Sequence, residues 1–274
     1  MNKLNKDKQT EIVKCLTEGM SLRATSRMTD VSRNTVSKLL LEIGEACERY
    51  HDERVKNFTT KKVQVDEIWS FIYSKQKNVP EAMKDQDGVG NVWTWTAIDA
   101  DSKLIISYAV GNRDAECALR FMKDIKSRLA NRVQLTSDGF GAYASAVEVA
   151  FQGEIDYGML VKIYGAVSDE HRYSPAECTA AIKQPVTGRP VKKDISTSYV
   201  ERQNLSMRMG MRRFTRLTNA FSKKMEYHVA AIALYFMHYN FVRIHQTLRC
   251  SPAMAAGIEK HLWKVEDIVE LLYK

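Results

Sequence analysis

VQVDEIWSFIYS, residues 63–74, decides the fold. Its valine, isoleucine and aromatic side chains alternate with polar ones at period two, which is the pattern of a strand. Asp66 interrupts that run between Val65 and Ile68, where a carboxylate without a compensating partner is costly. The pattern returns in NVWTWTAIDA (91–100) and KLIISYAV (103–110), which are separated by a turn over Asp99 to Lys103. RDAECALRFMKDIKSRLAN (113–131) then shifts to helical period, with Ala118, Phe121, Met122, Ile125 and Leu129 on one face. RVQLTSDG (132–139) is a fourth strand ending at Asp138, GAYASAVEVAF (141–151) a short helix, and YGMLVKIY (157–164) a fifth strand.

Upstream, residues 8–47 read as three short helices. Ser21 and Ser32 are N-cap candidates. In the third helix Val36, Leu39, Leu40 and Ile43 make an apolar stripe, while Arg33, Asn34, Ser37 and Lys38 point the other way. That is a helix-turn-helix pattern with a polar, basic reading face suited to base edges and phosphates; a plain three-helix bundle is the alternative. HDERVKNFTTKK (51–62) is a linker or helix tail. Pro175, Pro185, Gly188 and Pro190 break all periodicity in an insertion near 165–196, and helical segments close the chain. The expected organisation is a helix-turn-helix domain over 1–50, a linker over 51–62, a catalytic domain over 63–250 and a C-terminal helical segment over 251–274. The order of elements in the central region matches a ribonuclease H-like α/β domain: a mixed five-stranded sheet with flanking helices.

Composition bounds the partners. The 274 residues are 45% hydrophobic and 27% charged, with a net charge of +8, which suits a core-forming chain with a polyanionic partner. The basic residues cluster: between Arg202 and Lys224 stand Arg208, Arg212, Arg213, Arg216 and Lys223, with no acid in the interval. Such a run fits a surface that tracks phosphates. The five cysteines lack zinc-ligand spacing and read as reduced thiols, and no apolar run has the length of a membrane span. The expectation is a soluble, intracellular protein.

Three carboxylates stand out. Asp66 lies on the first strand and Asp138 at the end of the fourth, strands that neighbour one another at the centre of the expected sheet. Glu201 opens a helix in STSYVERQNLSMRMGMRR (196–213). Alone, an aspartate at a strand end is usually a turn former and a helical glutamate is usually solvated. Together they form an all-oxygen set suited to Mg²⁺ or Mn²⁺, with two ions expected to act on either side of a phosphorus. Alternation turns Glu67 away from Asp66. Arg208, two helical turns after Glu201, shares its face and is placed to clamp a phosphate; Gln203 and Asn204 are further neighbours on the same helix. Trp69, Trp93 and Trp95 read as core.

VDEIWSF, TSDGFGAY and YVERQNLSMRMGMRRFTRLTNAFSKK, followed by YNFVRIHQTLRCSPAMAAGI, resemble bacterial insertion-sequence transposases of the DDE class, nearest to the insertion sequence one family. The resemblance covers almost the whole chain. It implies Asp66, Asp138 and Glu201 as the catalytic, metal-holding triad and Arg208 as the basic residue seven positions on. Asn240, Arg243 and His245 match its closing motif, a packing or DNA-contact role. It implies double-stranded DNA, both element ends and target, as substrate, a homodimer or higher oligomer joining two ends, and a bacterial, cytoplasmic, nucleoid-associated setting. A non-catalytic DNA-binding regulator and a hybrid-cleaving nuclease remain as alternatives.

Overall fold

A computed structural model of the chain describes residues 4–84, 86, 88–165, 178–215 and 220–274. Three helices open it: α1 (Lys6–Thr17), α2 (Leu22–Thr29) and α3 (Arg33–Arg54). The hydroxyls of Ser21 and Ser32 accept the amides of Ala24 and Thr35, so both expected caps form. β1 (Lys62–Ile72), β2 (Gly90–Asp99) and β3 (Ile105–Gly111) make an antiparallel meander. α4 (Ala115–Arg128) leads to β4 (Gln134–Asp138), and α5 (Ala142–Phe151) leads to β5 (Asp156–Tyr164). Both of these strands run parallel to β1, as helical crossovers require. After β6 (Cys178–Thr187) come α6 (Ser198–Gly210), α7 (Met225–Met237), α8 (Pro252–Ala255) and α9 (Val265–Glu270).

The sheet order is β3-β2-β1-β4-β5-β6. This is the ribonuclease H-like α/β arrangement expected, with one correction: the sheet has six strands, not five. β6 lies inside the stretch expected to be irregular, pairing antiparallel with β5. It is an exposed edge strand, so neither face selects for alternation, and an edge tolerates Pro185, whose missing N–H need not serve an inner ladder. Residues 166–177 of the expected insertion lie outside the described residues.

Helices cover both faces of the sheet. On one, Trp95 meets Phe121 of α4 and Tyr143 of α5. On the other, Gln64 and Asp66 of β1 bond to α6, and Ser70 to His228 of α7. The N-terminal helices share this second layer. Gly44 of α3 lies so close to α7 that a Cβ there would sit 2.5 Å from Cα and Cβ of Ala230. Tyr50 of α3 stacks against Phe241 and Trp263, and the Lys6–Glu270 and Lys14–Glu266 ion pairs bind α1 to α9. The stretch expected as a linker begins as the last turn of α3, and its end is pinned by the Phe58 amide on the Arg128 carbonyl.

Candidate active site

β1 and β4 part company where the acids lie. Their ladder ends at Gln64 opposite Thr136, and continuing that register by two residues puts Asp66 level with Asp138. β4 stops there while β1 runs on to Ile72, leaving an open notch. Asp138 turns the chain at this point, accepting the Phe140 amide at 2.9 Å. Asp66, Glu67 and Asp138 each present a carboxylate oxygen within 4.8 Å of the others.

Glu67 was expected to face away from Asp66, and here the alternation argument needs correcting. The two side chains do leave opposite faces, one toward Asn204 and one toward Arg113. At the notch, however, no strand edge separates the faces, and Asp138 at the end of β4 meets both. Arg113 binds Glu67 at 3.1 Å and Asp138 at 3.6 Å, its guanidinium lying over the Phe140 ring at 3.9 Å.

α6 crosses this notch. Its start is tied to β1 by Gln64, whose Oε1 accepts the amides of Tyr199 and Val200. The preceding stretch is fastened to the sheet by Gln134, whose side-chain amide bonds both the amide and the carbonyl of Val191, and by Ile195, seated against Gly158 with no room for a Cβ. One turn after Glu201, Asn204 donates to Asp66 Oδ2 at 2.8 Å. Glu201 is held instead by Lys162 of β5, whose Nζ lies 2.6 Å from each carboxylate oxygen, and by the Thr197 hydroxyl.

The electrostatics follow from this crowding. Burial, then the charges of Glu67, Asp138 and Glu201, push the Asp66 carboxyl up to about 7. Burial also raises Glu67, with Arg113 opposing. Buried acids that raise one another are poorly compensated without a cation. Asn204 Oδ1 is buried without a hydrogen-bond partner, while Glu67 lies against the buried Tyr143 hydroxyl, which together with Arg113 opposes the rise of its carboxyl. Hard oxygens, mutual repulsion and an unspent acceptor fit a divalent cation of the Mg²⁺ or Mn²⁺ type.

The other expected site residues are more scattered. Arg202 is exposed on α6, Arg212 is exposed just past its end, and Arg208 lies on α6 seven residues after Glu201. Arg213 turns inward. It donates to the Ser222 hydroxyl and the Tyr227 carbonyl, next to a buried His228 that burial and Arg213 depress to about 3. This guanidinium fastens the α6–α7 connection rather than facing solvent. Arg216 lies outside the described residues. His245 sits in a turn near Lys103 and Arg243, which with burial lower its pKa. Arg33, Asn34 and Lys38 are exposed and Ser37 half-buried at the start of α3, with Lys38 3.7 Å from Glu42. Sequence reasoning missed Arg113 and Lys162. A lysine within the apolar strand of β5 was the available signal for the second.

No protein-family model matches the chain, and no curated protein matches it in sequence. Among solved structures it is similar to a piggyBac transposase synaptic complex with hairpin DNA, at 12% identity and a TM-score of 0.45, over 99% of this chain and 71% of that one. It is also similar to a Mos1 transposase paired-end complex with left transposon end, at 14% identity and a TM-score of 0.26, over 57% of this chain and 60% of that one. A Mos1 strand transfer complex aligns at 13% identity and a TM-score of 0.25, over 87% of this chain and 78% of that one. Among the described residues no helix is long and apolar enough to cross a membrane.

Proposed function

We propose that this chain is a metal-dependent polynucleotidyl transferase acting on duplex DNA, a transposase of the DDE insertion-sequence class. It would bind the terminal inverted repeats of its element, cleave there, and join the freed 3′-hydroxyl to target DNA. The observation that supports the reading is the convergence of the Asp66, Glu67 and Asp138 carboxylates where β4 ends beside β1, under the helix that carries Glu201 and whose Asn204 binds Asp66.

Asp66 and Asp138 would hold the metal and Glu201 would join them, while Asn204 orients the Asp66 carboxylate. When bound, two Mg²⁺ or Mn²⁺ ions supply a nucleophile at neutral pH and stabilise the leaving oxygen. Arg202, Arg208 and Arg212 would track phosphates leading to the notch, and His245 would contact DNA from its own turn beside Lys103. Arg33, Asn34, Ser37 and Lys38 would read the element ends from the first turn of α3, and the residues from 1 to about 50 would act as the end-binding domain. Joining two ends calls for at least a dimer.

The test is a cleavage and joining assay on labelled duplexes carrying the inverted repeats that flank the gene, with an RNA–DNA hybrid of the same sequence alongside. Mg²⁺-dependent nicking and joining of the duplex alone is the expected result. Binding without cleavage would indicate the regulator, and preferential hybrid cutting the nuclease.

A further inference from the structure

Glu201 is set apart from the other acids of the notch. Asp66, Glu67 and Asp138 converge on one another, whereas both oxygens of Glu201 are taken by Lys162 Nζ at 2.6 Å, with Thr197 donating to one of them as well. A half-buried lysine ammonium that bridges both carboxylate oxygens stands where a metal ion would bind that carboxylate bidentately, and its charge opposes a second cation there. Lys162 is placed for this by topology. Leu160 of β5 pairs with Asp138, and Lys162, two residues on, leaves the same face of the sheet beneath α6. It lies past the end of β4, beside the mouth of the notch rather than deep within it.

We propose that Lys162 is a placeholder cation: it holds Glu201 out of the acid cluster in the resting protein and competes with the divalent ion for that carboxylate. This rests on the reading of the notch as a metal site. Two cations competing for one carboxylate are linked reciprocally, so removing the resident one strengthens binding of the other. A lysine that merely anchored α6 would give the opposite sign, because its loss would loosen Glu201 and Asn204 together.

The experiment is Mn²⁺ titration of the full chain without DNA, read by the loss of the free-ion electron paramagnetic signal, with the fold of each variant checked by circular dichroism. Lys162→Met is expected to tighten the Mn²⁺ Kd by about fivefold or more. Adding Glu201→Gln to it should cancel that gain, and Lys162→Arg, which keeps the cation, should stay near the parent value. An unchanged or weakened Kd in Lys162→Met overturns the placeholder role, as does a tightening that survives Glu201→Gln. Asp66→Asn separates the two failures. If it abolishes Mn²⁺ binding while Lys162→Met has no effect, only the role of Lys162 falls; if Mn²⁺ binding is indifferent to Asp66→Asn, the metal-site reading falls with it.

Discussion

Asp66→Asn should remove strand cleavage and joining by roughly a thousandfold or more while leaving binding to duplex ends intact, the scale seen when one member of a cooperative catalytic set is lost. The same change should stabilise the metal-free protein at alkaline pH. The sign follows from the native carboxyl, raised to about 7 by burial and by the charges of Glu67, Asp138 and Glu201. The unfolded chain releases that proton near 3.9. Between those values the folded state holds the extra proton, so stability falls as pH rises and the penalty is complete only above about 7. Asparagine carries no charge and can still accept the Asn204 amide. Allowing for the partial exposure of the notch, the gain at pH 8 should be about 2 kcal/mol, vanishing below about pH 4. Chemical denaturation of both proteins across that range measures it; an Asn variant less stable than its parent at pH 8 would show that the acids do not repel one another as described.

Trp95→Ala should be the most destabilising single change near the site, costing about 3–5 kcal/mol. Trp95 is fully buried, its ring edge-on to Tyr143 at 5.6 Å and 5.8 Å from Phe121, and its Nε1 donates to the Asn112 carbonyl. The consequence reaches the notch, because Trp95 also lies 6.2 Å from Phe140, the ring under Arg113. Loss of that support should loosen Arg113 and the Asp138 turn as well as unfold the protein more readily. Trp95→Phe keeps an aromatic body but loses the donor, and should cost less than half as much. A loss under about 1 kcal/mol for Trp95→Ala in urea unfolding would contradict a close-packed α4–α5 face.

What could be read from residue order alone tracks burial. β1 to β5 and the helices between them were legible because each packs one or two faces against a core that selects side chains at period two or 3.6. β6 was not, because all but a few of its residues are exposed and only its hydrogen bonds to β5 make it a strand. The nearness of Glu67 to Asp66 was hidden for another reason. Alternation holds within a strand, and it says nothing about a notch where the neighbouring strand stops. Arg113 and Lys162 reach the acids from a loop and from a different strand, 46 and 39 positions away from the glutamates they bind, so no local pattern announces either. Arg213 shows the converse: a basic run is visible in sequence, but which of its members turns inward depends on Ser222 and the Tyr227 carbonyl.

Anomalous scattering from crystals of the full chain grown with Mn²⁺ tests the metal site most directly. The expected result is a difference peak at the β1–β4 notch in contact with the carboxylates of both Asp66 and Asp138. A Mn²⁺ peak elsewhere on the protein with the notch empty would contradict it.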